Sequence, residues 1–337
     1  MTKTAVVILN YNGKHFLEKF LPAVTRFSPE AFVVVADNCS TDNSLHFLEN
    51  EHPSVTVIRN RQNGGFAKGY NDALKQIDAE YYMLLNSDVK VTEDWLGPLE
   101  QLLDSRADVA ACQPKIRSFH EPHMLEYAGA GGGFIDSLAY PFCRGRIFDH
   151  LEEDRGQFND THPVFWATGA ALFVRSEVFH ELGGFDEDFF AHMEEIDLCW
   201  RIHLLGKKVY YQGSSEVYHV GGGTLHRSNP RKTFLNFRNS LRLLFLNSKS
   251  SALCWKLPLR CMLDLLAVLQ FLGKGQHRDA KAVLLALGDF SKEWRVNVRK
   301  RKKRKANWRY EDPPIYKGSI LFDFFVKRKK RFSELNV

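Results

Sequence analysis

Residues 81–88 read YYMLLNSD, an apolar run that passes directly into three polar residues. A strand in a parallel sheet is buried on both faces, so its sequence is a near-continuous hydrophobic run. In an open α/β sheet, ligands bind just beyond the carboxyl ends of the strands. This stretch therefore predicts a central strand, with Asp88 placed to hold a ligand or a metal.

Three further apolar segments precede this strand, at residues 4–9, 31–36 and 55–58. Apolar residues at helical spacing follow the first of them, and a helix is expected after each of the other two. The alternation of strands and helices over the first hundred residues predicts an α/β fold. Its sheet is expected to be doubly wound, mostly parallel and flanked by helices.

Polar clusters follow three of these strands: Asn10 with Tyr11, Asp37 with Asn38, and Asn86 with Asp88. A single cluster is most simply a turn, because Asn and Asp are good turn formers. Three clusters, together with the glycine-rich residues 60–71, favour a nucleotide-binding crevice. The glycines match neither a dinucleotide fingerprint nor a P-loop.

Residues 117–163 lose the regular pattern, which is typical of a substrate-binding region or a lid. The apolar run that follows contains four small residues at 168–171, among them Gly169. Small residues allow a ligand to approach the backbone closely, and they also occur at tight packing contacts. Both interpretations of Gly169 stay open from the sequence.

Residues 194–201 read EEIDLCWR and have helical periodicity. Glu194 and Glu195 would lie at the start of this helix, where the helix dipole stabilises anions. Asp197 and Arg201 are four residues apart and can pair. The two glutamates are either caps of a surface helix or catalytic carboxylates, and the large apolar residues around them favour catalysis.

His219 follows a strand-like segment and precedes three glycines. A lone histidine in this setting is most often a hydrogen-bonded core or turn residue. The glycines indicate a loop that returns to the site, where the imidazole can be a metal ligand.

The charge of the chain is unevenly distributed. Residues 274–337 contain 19 Lys and Arg against 7 Asp and Glu, a net +12, whereas the chain as a whole is +6. Such a basic tail usually addresses an anionic partner. We rank a membrane surface first, a solvated tail second and a nucleic acid third.

Residues 257–272 are rich in leucine but contain Arg260 and Asp264, so they suit a helix in the headgroup region better than a span. The six cysteines form no Cys-x-x-Cys pair, and the N-terminus enters a strand without a signal-peptide pattern. We therefore expect a cytoplasmic protein, bound peripherally to the inner face of the cytoplasmic membrane.

Several motifs in order give the chain a resemblance to the family-2 glycosyltransferases, which are inverting enzymes of the GT-A fold, and to their rhamnosyltransferase-like members. Residues 37–42 resemble Asp-Asn-x-Ser-x-Asp, residues 63–71 resemble Asn-x-Gly-x-x-x-Gly-x-Asn, and residues 86–88 stand where the family has Asp-x-Asp. Residues 183–186 and 194–201 resemble the acceptor-side Gly-Gly-Phe-Asp and Glu-Asp motifs. Asn86 replaces the first Asp of Asp-x-Asp, and Glu195 replaces the Asp of Glu-Asp.

The resemblance implies a hexosyltransferase that moves a sugar from a nucleoside diphosphate sugar to an acceptor hydroxyl, with a divalent metal, Mg²⁺ or Mn²⁺. The acceptor would be a saccharide or a lipid-linked saccharide, in the synthesis of cell-surface polysaccharide or glycolipid. The implied metal ligands are Asp88 and His219, and the catalytic base is Glu195, Glu194 or Asp197. The implied donor-binding residues are Asn10, Tyr11, Asp37, Asn38, Asn63, Gly65, Asn71, Asn86, Ser87, Asp88 and Gly169.

The expected organisation is a GT-A domain over residues 1–230 and a helical, basic, membrane-associating region over residues 231–337. The donor-binding half of the GT-A domain would cover about residues 1–115, and the acceptor-binding half residues 116–230. Two alternative functions stay open from the residues: a nucleotidyltransferase, and a non-catalytic protein that binds nucleotide sugars.

Overall fold

The computed structural model describes residues 2–127, 129–221, 229–309 and 312–337. The strands are β1 (Thr2–Asn10), β2 (Phe32–Asp37), β3 (Thr56–Arg59), β4 (Ala79–Asn86), β5 (Val89–Val91), β6 (Val109–Ser118), β7 (Gly133–Ile135), β8 (Pro141–Cys143), β9 (Arg146–Ile147), β10 (His150–Leu151), β11 (Thr161–Val164), β12 (Ala171–Arg175) and β13 (Lys208–His219). The helices are α1 (Lys14–Phe27), α2 (Ser44–Glu51), α3 (Gly65–Leu74), α4 (Gly97–Ser105), α5 (Ser176–Glu181), α6 (Glu194–Leu204), α7 (Pro230–Asn247), α8 (Ser250–Gly273), α9 (His277–Lys292) and α10 (Trp294–Lys305). Short 3₁₀ turns lie at Glu187–Phe189 and Phe332–Glu334, and a π turn at Phe322–Val326.

The large sheet of the described chain has the order β11-β13-β6-β12-β4-β1-β2-β3, with β5 also paired to β13. The β1, β2, β3 and β4 strands are parallel to one another, and β6 is parallel to β13. The β12 strand is antiparallel to both β4 and β6. The predicted α/β fold with a mainly parallel sheet is therefore confirmed.

Helices cover both faces of the β4 strand. Tyr82 and Leu84 belong to one hydrophobic cluster, while Tyr81, Met83 and Leu85 belong to another. Successive side chains of a strand point to opposite faces, so a continuous apolar run is what a strand between two layers of helices needs. This is why residues 81–85 have no polar alternation.

The register of the parallel strands brings the polar strand ends together. Asn10 at the end of β1 lies opposite Asp37 at the end of β2. Leu9 lies opposite Asn86 at the end of β4. The three polar clusters therefore share one edge of the sheet, as expected for a ligand crevice.

The segment predicted to be irregular, residues 117–163, contains a small antiparallel sheet of the order β10-β9-β8-β7. Its strands are two or three residues long. Such strands are too short to leave an alternating pattern in the sequence. The prediction missed them for that reason.

Helices α7 to α10 pack on the rest of the chain. Leu241, Leu244 and Phe290 belong to the same hydrophobic cluster as Leu84 of the central strand. Of the residues that the structure describes, none forms a helix that is long and apolar enough to cross a membrane. The division of the chain at residue 230 stays a prediction.

Candidate active site

The first part of the site is a network of polar side chains at the ends of β1 and β2. The Asn10 Nδ2 donates to Asp37 Oδ1 at 3.1 Å, and the Asn38 Nδ2 donates to Asn63 Oδ1 at 3.0 Å. Asn10, Asp37 and Asn38 are each 2% exposed or less. Tyr11, by contrast, is 43% exposed at the mouth of this network. Four predicted donor-binding residues and Tyr11 are thus brought to one place.

The glycine-rich turn connects this network to the segment before α6. Gly65 has a φ of +77°, and a Cβ there would lie 2.5 Å from the carbonyl oxygen of Phe190. The Phe66 N–H donates to that same oxygen at 2.8 Å. The Asn71 side chain donates to the Phe185 carbonyl and accepts from its N–H, both at 2.9 Å. Gly65 therefore allows a close backbone approach, and Asn71 ties α3 to the 185–190 segment.

Asp88 lies directly after β4 and contacts His219 at the end of β13. The Asp88 Oδ1 and His219 Nε2 are 3.1 Å apart, and the His219 Nδ1 is 3.2 Å from Glu126 Oε2. All three residues are less than 10% exposed. Burial opposes a charged imidazole, but the two carboxylates raise the pKa of His219 to about 10. Asn86 and Ser87 lie beside Asp88 and are partly exposed.

One carboxylate and one imidazole nitrogen form a suitable edge of a divalent-cation site. Within the described ranges, no three His, Cys, Asp or Glu residues are arranged to hold a metal by themselves. Mg²⁺ is usually held by one or two carboxylates together with phosphates of the substrate. Asp88 thus fits a cation that is shared with a diphosphate, and His219 can join it once its imidazole has lost the proton that the two carboxylates stabilise. The glycines predicted to follow His219, at 222 and 223, lie outside the described residues.

Glu194 and Glu195 are the first two residues of α6, and burial is the main cause of the shifts in their pKa values. The Oε2 atoms of both glutamates are buried and have no hydrogen-bond partner in the part of the chain that the structure describes. Burial raises the pKa of Glu195 to about 7, an effect that backbone N–H groups partly offset. Burial and the neighbouring Glu195 raise the pKa of Glu194 well above its usual value. Glu194 is 4% exposed, whereas Glu195 is partly accessible.

The segment that leads into α6 is strained. Phe190, His192 and Met193 have φ values of 63°, 69° and 74°, a conformation that is rare for bulky side chains. Asn239 of α7 holds this segment, since its Nδ2 lies 3.0 Å or less from the carbonyl oxygens of Phe189, Ala191 and His192. Such strain persists only where the surrounding structure imposes it, and it is concentrated at functional sites.

Asp197, two residues after Glu195 in α6, is in a different environment. It accepts hydrogen bonds from Arg201 Nε at 2.8 Å, Asn247 Nδ2 at 2.8 Å and Arg304 Nη1 at 2.6 Å. Burial alone would raise the pKa of Asp197, but Arg304 and Arg201 hold it below its usual range. The predicted Asp197–Arg201 pair is present. Arg304 comes from the basic run that the sequence suggested as a tail.

Gly169 lies between the base candidates and the strand ends. A Cβ added to Gly169 would be 3.9 Å from the Cβ of Glu195 and 3.2 Å from the Phe66 ring. The carbonyl of the next residue, Ala170, accepts from the Asn86 N–H at 3.0 Å. The start of α6 and the end of β4 are therefore neighbours, joined through residues 169–170.

Comparison with known proteins decides the family. The model of glycosyl transferase family 2 matches residues 5–183, just over half of the chain. This chain is a family-2 glycosyltransferase. The resemblance inferred from the motifs is confirmed, and nothing in the comparisons supports the alternative of nucleotidyl transfer.

Two curated relatives of this glycosyltransferase are named as rhamnosyltransferases. An N-acetylglucosaminyl-diphospho-decaprenol L-rhamnosyltransferase of Mycobacterium tuberculosis is 26% identical over 277 residues, which cover 76% of this chain and 87% of the relative. Rhamnosyltransferase WbbL of Escherichia coli K12 is 22% identical over 225 residues, which cover 64% of this chain and 82% of the relative.

Two solved structures share the fold of this glycosyltransferase. GalNAc-T7 with UDP, GalNAc and Mn²⁺ has a TM-score of 0.57 at 17% identity, over 73% of this chain and 48% of that protein. The mannosyltransferase PcManGT of Pyrobaculum calidifontis, with GDP-Man and Mn²⁺, has a TM-score of 0.52 at 16% identity. The match covers 90% of this chain and 85% of that protein. Both are glycosyltransferases, which agrees with the predicted fold.

Sequence reasoning missed three residues that shape the site: Glu126, Asn239 and Arg304. Glu126 and Arg304 contact predicted site residues from far along the chain, and Asn239 contacts the carbonyl oxygens of the segment that leads into α6. Arg304, for example, is 107 residues from Asp197. A single sequence carries no signal for such contacts.

Proposed function

We propose that this glycosyltransferase moves a sugar, with inversion, from a nucleoside diphosphate sugar to a hydroxyl group of a lipid-linked saccharide. The lipid-linked acceptor is supported by the M. tuberculosis relative, whose name states a diphospho-decaprenol acceptor and L-rhamnose as the sugar. Rhamnose is accordingly the first sugar to test. The product would enter cell-surface polysaccharide, and the enzyme would work at the cytoplasmic face of the membrane.

The observation that carries the proposal is the pair of buried glutamates at the start of α6. An acceptor hydroxyl is a poor nucleophile until its proton is removed, and a general base near pKa 7 is matched to that task. We assign this role to Glu195, because its pKa is raised to about 7 and it is partly accessible. Glu194 is more deeply buried, and its raised pKa makes the protonated form more favourable than in an ordinary glutamate.

Asp197 is proposed to have a structural role, since its carboxylate is already engaged by two arginines and an asparagine. Asp37, Asn10 and the 63–65 turn are proposed to hold the nucleoside at the ends of β1 and β2. Asp88 and His219 would hold a divalent cation, which when bound neutralises the diphosphate as it leaves. Mn²⁺ in the two structural neighbours supports this cation, and the choice between Mg²⁺ and Mn²⁺ is left to experiment.

A thermal-shift screen tests the proposal. UDP-, GDP- and dTDP-activated sugars, including dTDP-rhamnose, are added at saturating concentration with Mn²⁺ or Mg²⁺. One donor is expected to raise the melting temperature only when the cation is present, and Asp88→Ala is expected to remove the shift. Release of nucleoside diphosphate, without pyrophosphate, is expected when a lipid-linked acceptor is added. If no donor shifts the melting temperature with either cation, the proposed donor site is wrong.

A further inference from the structure

The α8 helix has a charged pair on its buried side and large apolar side chains on its exposed side. Its inward face carries Arg260 and Asp264, which are 2% and 1% exposed and form an ion pair at 3.0 Å. The Arg260 guanidinium also lies 3.7 Å from the centre of the Tyr140 ring and donates to the Leu138 carbonyl at 3.1 Å. The charged pair of this helix is therefore satisfied inside the protein, against the small antiparallel sheet and its turn.

The outward face of α8 is largely apolar from Trp255 to Leu272, with Gln270 as its one exposed polar side chain in that stretch. Six of its large side chains are between 44% and 64% exposed: Trp255, Met262, Leu265, Leu266, Leu269 and Leu272. They recur at spacings of three, four and seven residues, which places them on one side of a helix. That pattern normally faces a core, and a large contiguous apolar patch is uncommon on the surface of a monomer. We call these six residues the α8 face.

The surroundings of the α8 face are basic. Asp264 is the only acid in residues 250–273, and it is buried and paired. The face is followed in the chain by the exposed cations Lys274, Arg278 and Lys281 and then by the rest of the +12 segment. The next helix, α9, adds two exposed leucines, Leu284 and Leu285. Apolar side chains beside cations match the boundary between acyl chains and anionic headgroups.

The basic run of α10 is only partly available to a partner. Lys300 pairs with Asp186 at 2.6 Å, and Arg304 pairs with Asp197 at 2.6 Å. Arg301 donates to the Ser248 carbonyl at 2.7 Å. Arg299, Lys302 and Lys303 are exposed. Of the inward residues of this run, Arg304 holds α6, whereas Lys300 and Arg301 hold Asp186 and the end of α7. The outward residues add to the positive surface.

We propose that the α8 face, with the cations that follow it, docks this glycosyltransferase on an anionic lipid bilayer. A second copy of the chain would also cover the apolar side chains, but it would bring two strongly basic segments together, and like charges oppose that contact. An anionic bilayer covers the same side chains and attracts the charge. Docking would deliver the enzyme to a lipid-linked acceptor, a link that rests on the function proposed above.

Vesicle co-sedimentation of the full chain tests this surface. The probe is vesicles of phosphatidylcholine with about 30% phosphatidylglycerol, a content of anionic lipid chosen to attract the basic segment. Leu266→Gln/Leu269→Gln is expected to weaken binding by at least about tenfold, because two side chains no longer enter the acyl boundary. Phe32→Gln, which removes an apolar side chain that is 38% exposed elsewhere, is the matched control and should bind like the wild type.

Three outcomes would overturn the proposal: equal binding of the double variant and the wild type, equal binding to pure phosphatidylcholine vesicles, or a dimer in solution that the double variant dissociates. The last outcome would assign the face to a second copy. Circular dichroism and melting temperature show whether the double variant is folded. Its cation-dependent thermal shift with the donor should equal that of the wild type, so failure of docking and failure of the donor site are separate results.

Discussion

Two sets of carboxylates lie within one turn at the start of α6, and their surroundings differ completely. Glu194 is buried and Glu195 is partly accessible, and each has a buried oxygen that lacks a partner among the described residues. Asp197 is buried between Arg201 and Arg304. Burial raises the pKa of the glutamates, whereas the arginines lower that of the aspartate. The same helix end therefore holds carboxylates that can accept a proton near neutral pH and one that cannot.

This difference distinguishes a catalytic role for the glutamates from a structural role for Asp197. A buried polar group without a partner costs free energy, so its presence in a folded protein calls for a reason such as a ligand or a reaction. A buried carboxylate that pairs with two arginines has its charge and its hydrogen bonds satisfied by the protein. Removing it leaves buried positive charge with less compensation. We therefore expect loss of Glu195 to affect the reaction and loss of Asp197 to affect folding.

Replacement of Glu195 by Gln should have the largest effect on activity. The amide keeps the size of the side chain but cannot take the proton of the acceptor hydroxyl. We expect kcat to fall by about 10²–10⁴-fold, the usual contribution of a general base. Steady-state kinetics with the donor and the acceptor measures this fall, and the donor-induced thermal shift should persist.

Glu194→Gln is the matched control, because the same chemical change is made one residue away. It should keep most of the activity, since the Glu194 side chain is 4% exposed and is less able to reach an acceptor hydroxyl than Glu195. A Glu195→Gln variant with near-normal transfer, together with an inactive Glu194→Gln variant, would move the base to Glu194.

Replacement of Asp197 by Asn should instead lower stability. Arg201 would lose the carboxylate that compensates its charge and Arg304 would keep only Asp186, and breaking a buried pair typically costs about 3–5 kcal/mol. Urea unfolding at pH 7 measures the free energy of unfolding. The matched control is Glu181→Gln, because Glu181 pairs with Arg309 at 2.9 Å on the surface, with side chains that are 44% and 68% exposed. That pair should be worth about 1 kcal/mol or less. Equal losses in the two variants would contradict the structural role of Asp197.

The sequence was informative where a local pattern has a local cause. The apolar run at residues 81–85 predicts a strand between two helical layers, and the acids at 194, 195 and 197 stand at the start of a helix, as expected. The sequence could not separate Asp197 from the glutamates, because the separation is made by Arg304, which folds back from far along the chain. It also placed residues 299–305 in a basic tail that binds an anionic partner, whereas Lys300, Arg301 and Arg304 bind inward. Long-range contacts of this kind produce no periodic pattern in the amino-acid sequence.

The pH dependence of stability provides the finest test of the contrast between the two kinds of carboxylate. Glu195 has a pKa of about 7 in the folded chain, against an ordinary value of 4.5. Its protonated form is favoured by folding, so its contribution is fully present below about pH 4.5 and is lost as the pH rises towards 7. A shift of this size corresponds to about 3 kcal/mol.

Gln resembles the protonated acid, so Glu195→Gln should gain stability relative to the wild type by that amount between pH 4.5 and 8. The pKa of Asp197 is lowered in the folded chain, so its contribution is present above its ordinary value of 3.8 and is lost only at lower pH. The difference between the wild type and Asp197→Asn should therefore stay constant over the same range. Urea unfolding of both variants from pH 4.5 to 8 compares the two trends. If the stability difference from the wild type changed with pH in the same way for both variants, the proposed contrast between Glu195 and Asp197 would be wrong.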